Sequence, residues 1–220
     1  HRSRWRRANL DPMQQPRGTV RDYYSAKLKR HGAGPRGVDW SSTASQFLRF
    51  AELMKICDFS KPFSLNDFGC GYGALLAYLA DRHASAVVTY RGIDIAPGMI
   101  EAACDRWKQT PRTEFVAGSE CGSKADYSVA SGVFNVRLGW AVAAWEAYVK
   151  SILSDLHANS RIGFSVNFMS PQDDPASGEN LYRVPPERWS EFCTDELGCE
   201  VERISGYGLP EFTLLGRCVG

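Results

Sequence analysis

The stretch Phe63-Ser64-Leu65-Asn66-Asp67-Phe68-Gly69-Cys70-Gly71-Tyr72-Gly73-Ala74 decides how this sequence folds. Its first half alternates apolar and polar residues as a strand does, and the residues after Gly73 carry a helical pattern, so three glycines fill the turn between. Without a Cβ, each lets the backbone turn sharply and come close to a ligand, while the helix start beyond offers N–H groups with no partner of their own. The dinucleotide turn is spaced G-x-G-x-x-G, whereas the third glycine here comes one residue earlier and an acid, Asp67, precedes the run. The turn therefore predicts a ligand at a strand-to-helix crossing but not a nicotinamide nucleotide.

Reading outward, strands are expected over 63–68, 87–93, 113–117, 126–131 and 161–168. Helices fall at 73–82, from Pro97 onward and over 139–157. Pro97 suits the first helical position, where its missing N–H has no partner to lose. Strands alternating with helices predict a mostly parallel sheet covered on both faces. The chain ends differently. Cys199–Ser205 and Glu211–Val219 are two strand-like runs joined by Gly206-Tyr207-Gly208-Leu209-Pro210, too short for a helix, which predicts an antiparallel C-terminal hairpin. Strand 87–93 runs into Asp94, a carboxylate at the carboxyl end of the strand beside the glycine turn. That is where a ribose lies in such sheets, and a carboxylate can accept from both of its hydroxyls. Asp94 beside Pro97 could equally cap the next helix.

Before the glycine turn, Val20, Tyr24 and Leu28 recur every four residues, predicting a short helix over 19–31 that Gly32, Gly34 and Pro35 end. A second helix opens at Thr43, which with Gln46 forms a capping box ahead of Phe47, Leu48, Ala51 and Met54. Residues 1–18 are expected to be a mobile basic extension, and 19–220 a single domain whose segment 19–58 forms a helical lid. Residues 1–37 hold ten Lys/Arg against two acids, leaving sixteen against twenty-three in the rest, so the body is mildly acidic. An Arg-rich start can be a nucleic-acid arm, a targeting peptide or sequence ahead of a start at Met13. Seven cysteines without a C-x-x-C pair argue against a zinc site or disulfide framework and for the reduced thiols of a cytoplasmic protein. No run approaches the roughly 20 apolar residues of a membrane helix. Asp173 and Asp174 are adjacent acids without further spaced ligands, so no metal is expected.

Together the glycine turn after Asp67, the acid Asp94 and the terminal hairpin resemble the class I S-adenosylmethionine-dependent methyltransferases over roughly 42–219. The resemblance implies a Rossmann-like sheet with helices on both faces and S-adenosylmethionine as cofactor. It implies that Gly69, Gly71 and Gly73 border the methionine part, that Asp67 holds its amino group, that Asp94 binds the ribose and that Ile95 flanks the adenine. Ser119 or Glu120 would meet the adenine amino group, and Ser131 would join the cofactor side. Gln46 and Arg49 lie on a helix beside the cofactor, where Arg49 could grip its carboxylate; alternatively Gln46 completes the capping box and Arg49 is a surface charge. Acceptor-facing groups follow strand 126–131, which points to Asn135 and Arg137, with Tyr24 and Trp40 in the lid. Trp140 and Trp145 read as helix core. No base stands out among Tyr24, His31, Asp39 and His157, and direct displacement does not require one. Aromatic lid residues and the acidic segment 171–180 favour a small-molecule acceptor over nucleic acid. RNA, a protein acceptor, or cofactor binding without turnover are the alternatives.

Overall fold

The computed structural model describes residues 14–38, 42–172 and 180–219. Seven strands form one sheet: β1 (Phe63–Phe68), β2 (Val88–Asp94), β3 (Thr113–Ala117), β4 (Ala125–Ala130), β5 (Ser160–Met169), β6 (Cys199–Ser205) and β7 (Glu211–Cys218). Their order is β3-β2-β1-β4-β5-β7-β6. The first five pair in parallel, with Phe68 opposite Ile93 and Ala130. β7 runs antiparallel between β5 and β6. The five-residue link 206–210 leaves no room for a crossover, so the last strand must reverse. The chain moves from β1 outward through β2 and β3, then returns to place β4 on the other side of β1. That reversal opens a crevice at the carboxyl ends of β1 and β4.

Helices α1 (Gln14–His31), α2 (Thr43–Leu53), α3 (Ala74–Arg82), α4 (Pro97–Trp107), α5 (Val142–Ala158) and α6 (Pro186–Glu191) cover the sheet. Side chains alternate across a strand, so the sheet feeds two cores. One joins Phe68, Phe164 and Phe168 to Trp145 of α5 and Trp189 of α6. The other joins Leu65, Tyr90 and Val129 to Phe50 of α2 and Leu75 of α3. Among the described residues no helix is long and apolar enough to cross a membrane.

Four local expectations change. Residues 14–18 are helical rather than part of a loose extension, because Pro16 falls in the first turn, where proline is tolerated, and Gly18 costs a helix only about 1 kcal/mol. Residues 1–13 lie outside the described residues. The cap of α2 is Ser42, whose hydroxyl accepts from the Ser45 N–H at 3.2 Å, so Gln46 is released from capping. α5 starts at Val142, since Leu138 and Gly139 have φ of 55° and 76°. Finally, α6 and the π turn Phe192–Glu196 were not expected, being too short to show a helical period.

Candidate active site

The glycine turn is pinned from both sides. The N–H groups of Gly69 and Cys70 both donate to the Ile93 carbonyl, at 2.7 and 3.0 Å. Gly69, Gly71 and Gly73 have φ of 74°, 54° and 82°, a region L side chains avoid. A Cβ on Gly69 would stand 2.6 Å from Val133 Cγ2, so this glycine also lets the loop after β4 approach. Asp94 ties the turn to β2: its Oδ2 accepts from the Gly71 N–H at 2.9 Å and its Oδ1 from the Ala96 N–H at 2.8 Å. Those two bonds use about half of a carboxylate's acceptor capacity and leave the rest for a ligand.

Above the turn lies a cavity of about 850 Å³, counting its open mouth. Asp67, Gly69 and Gly71 form its base, Asp94, Ile95 and Ser119 one side, and Ser131 and Val133 the other. Val20 and Tyr24 of α1 with Gln46 and Phe50 of α2 form the roof. The Gln46 amide oxygen accepts from the Tyr72 hydroxyl at 3.3 Å. Burial pushes the Asp67 carboxyl up to about 7, against the opposing effect of the Tyr90 hydroxyl that donates to it at 2.5 Å; nearby Asp94 adds to the rise. Burial also raises Asp94, while its two backbone N–H donors act in the other direction. Ser131 lines the cavity, and its hydroxyl oxygen is buried with no hydrogen-bond partner among the described residues.

A sequence profile described as "Methyltransferase domain" matches residues 66–158, from β1 through α5. A protein of Mycobacterium tuberculosis, provisionally named as methyltransferase Rv1506c, is 40% identical over 165 residues, covering 74% of this chain and 98% of that protein. The chain belongs to the methyltransferase family. S-adenosylmethionine is the methyl donor of that family. The fold is shared with the magnesium protoporphyrin IX methyltransferase (ChlM) of Synechocystis PCC 6803 with bound SAH. There the TM-score is 0.64 at 16% identity, over 92% of this chain and 99% of that one. It is shared too with the pyocyanin biosynthetic protein PhzM, at TM-score 0.65 and 19% identity, over 89% of this chain and 62% of that one.

The cavity of this methyltransferase fits S-adenosylmethionine on its own features: a glycine turn with no room for a Cβ at Gly69 beside Val133, two buried carboxylates, and Ser131 with a hydroxyl that has no partner among the described residues. Of the residues singled out from sequence, Tyr24, Gln46, Asp67, Gly69, Gly71, Asp94, Ile95, Ser119 and Ser131 line it together. Gly73 stands behind the turn, where a Cβ would lie 2.6 Å from Trp107 Nε1. Arg49 does not line the cavity. Its guanidinium faces Glu211, with Nη2 at 2.5 Å from Oε1 and Nε at 2.8 Å from Oε2, so a carboxylate within the chain takes the place expected for the cofactor's. Arg137 also lies elsewhere. It borders a separate groove with Glu146 and Arg188, and its Nη1 donates to the Trp140 carbonyl. Asn135 is buried behind the loop, its Oδ1 without a partner among the described residues. Trp40 and Asp39 lie outside the described residues. His157, on the last turn of α5, contacts Cys199 and Cys218 at 3.5 and 3.6 Å instead of the cavity. Sequence reasoning missed Val20, Phe50, Met99 and Tyr148, which carry no chemical signal and enter the cavity wall only through packing.

Proposed function

We propose that this methyltransferase transfers its methyl group by direct displacement to a small-molecule acceptor held under α1 and α2. The observation that carries the reading is the lining: Val20 and Tyr24 of α1 and Gln46 and Phe50 of α2 close on the same cavity as the glycine turn, a partly apolar enclosure that suits a compact acceptor. Bound S-adenosylmethionine supplies an electrophilic methyl on a sulfonium. The chain's own residues bind and orient. Asp67 holds the cofactor's ammonium, Asp94 receives the ribose hydroxyls on its free lone pairs, Ile95 flanks the adenine with Ser119 at its edge, and Ser131 donates from the opposite wall. Val20, Phe50 and Val133 present apolar surface that keeps water from the reacting atoms, and alignment lowers the barrier without a dedicated base. The two structural neighbours are named for magnesium protoporphyrin IX and for pyocyanin biosynthesis, which supports a small organic molecule rather than a macromolecule as acceptor. The test incubates the chain with methyl-radiolabelled S-adenosylmethionine and either a small-metabolite extract or total RNA and protein. Label is expected in the metabolites, and label found only in macromolecules would sink the reading.

A further inference from the structure

A buried chain of hydrogen bonds joins the loop after β4, which forms one wall of the cavity, to helix α2. Glu211, at the start of β7, receives both the Arg49 guanidinium from α2 and the Asn167 amide from β5, with Asn167 Nδ2 at 2.9 Å from Glu211 Oε2. The other end of the same amide, Asn167 Oδ1, accepts from the Gly132 N–H at 2.7 Å. Asn167, Glu211 and Arg49 are 0%, 3% and 8% exposed, so water does not compete for these bonds. Each end of the path carries part of the cavity. Gly132 lies between Ser131 and Val133 on one wall, and Arg49 is one helical turn beyond Gln46 in the roof.

We propose that Glu211 is a positioning residue for cofactor binding: it orients the Asn167 amide, which fixes the Ser131–Gly132 peptide, and it anchors α2 to the same point. An amide has one accepting and one donating end. With a carboxylate on one side, Nδ2 must face Glu211 and Oδ1 must face Gly132, because the flipped amide would set oxygen against carboxylate and N–H against N–H. The charge of Glu211 thus selects one state of Asn167, and that state holds the N–H of Gly132, a residue at φ 69°. Fixing this peptide sets the position of Ser131, which lines the cavity and whose buried hydroxyl has no partner among the described residues. The Arg49 guanidinium beside Glu211 gives this buried carboxylate an opposite charge as its partner.

The experiment follows the Gly132 amide resonance of the 15N-labelled full chain and the affinity for S-adenosylhomocysteine by calorimetry. Glu211→Gln can offer an N–H as well as an oxygen to Asn167, so only the Gly132 N–H is left to favour one orientation of the amide and the preference weakens. The Gly132 proton should move upfield and exchange faster with solvent, and affinity should fall by about tenfold. Because Glu211→Gln removes a charge from the buried ion pair with Arg49 and can unfold the chain, Asn167→Leu is the second variant. It keeps the ion pair but removes the acceptor of Gly132, and the same spectral shift and affinity loss are expected. Glu211→Asp, which keeps the charge, should restore part of both. If either folded variant of the first two keeps the Gly132 resonance in place, or loses thermal stability while binding S-adenosylhomocysteine within twofold of the parent, the positioning role is overturned.

Discussion

Two carboxylates with similar burial do different work because their partners differ. Asp94 is fixed by two backbone N–H groups and so is already shaped as an acceptor before a ligand arrives. Replacing it by Ala should weaken S-adenosylhomocysteine binding by about 1 to 3 kcal/mol, the cost of removing an acceptor from buried hydroxyls. Calorimetry reads the loss directly, and an unchanged dissociation constant would reduce Asp94 to a brace between the glycine turn and the end of β2. Asp67 is held up at about 7, mainly by burial. The sign of its contribution is opposite to that of a salt-bridged acid. The folded chain binds this proton more tightly than the unfolded one, so stability from it is full below the ordinary carboxyl range and is lost as pH rises through about 7. Cofactor binding runs the other way, since an ammonium group pairs with the ionised form. Affinity should therefore climb with pH up to about 7 and then level off, and Asp67→Asn should flatten that climb. A profile that is already flat in the parent chain would remove Asp67 from contact with the ammonium. Both acids could be picked out from sequence by their position at strand ends. Their pKa directions could not, because both rise through burial in the folded chain, and Tyr90, which donates to Asp67, lies 23 residues further along.

At the scale of elements, the glycine turn is the best-determined part of the molecule and the roof the least. The turn is made of consecutive residues whose φ values and lack of side chains are local properties, so the string of glycines announces it. Gly69→Ala puts an L residue at φ 74° and a Cβ 2.6 Å from Val133. The strain should cost about 1 to 2 kcal/mol of stability, and the displaced Val133 should narrow the cavity and lower affinity for S-adenosylhomocysteine. Gly198→Ala is the control. Its φ is 68° with no atom within 4 Å of the added Cβ, so stability should fall by a similar amount while affinity stays the same. Equal affinities in the two variants would show that Val133 yields without cost. The roof is harder to read. The four-residue period of Val20, Tyr24 and Leu28 shows a helix with an apolar face, but not what the face covers. In the structure that face packs toward α4, where a Cβ on Gly98 would lie 2.9 Å from Leu28, and toward the cavity. Arg49 and Gln46 sit on one helix, yet one turns to Glu211 and the other to the cavity, a division that periodicity alone does not make.

On the scale of the whole molecule, the cavity draws its walls from both halves of the sheet and from two roof helices, so a ligand there links parts of the chain that are otherwise separate. S-adenosylhomocysteine at a hundredfold its dissociation constant should stabilise the fold by about 2.7 kcal/mol. For a chain of this size that is a rise in melting temperature of roughly 5 to 11 °C. NAD should give none, since the turn lacks the spacing its pyrophosphate needs, and a comparable rise with NAD would overturn the assignment of cofactor from turn spacing. Sequence by itself determined the strand and helix alternation, the reversed last strand and the residues at the base of the cavity, because each is written in neighbouring residues: a period, a glycine, a link too short for a helix. Only the tertiary structure decided that Arg49 meets Glu211, that Arg137 lies in another groove, and that the Asn167 amide holds Gly132. Arg49 and Glu211 stand 162 residues apart in the chain, and Asn167 lies 44 residues before Glu211. Contacts at such separations leave no local pattern, and they exist only once the sheet order has brought β5, β7 and α2 together.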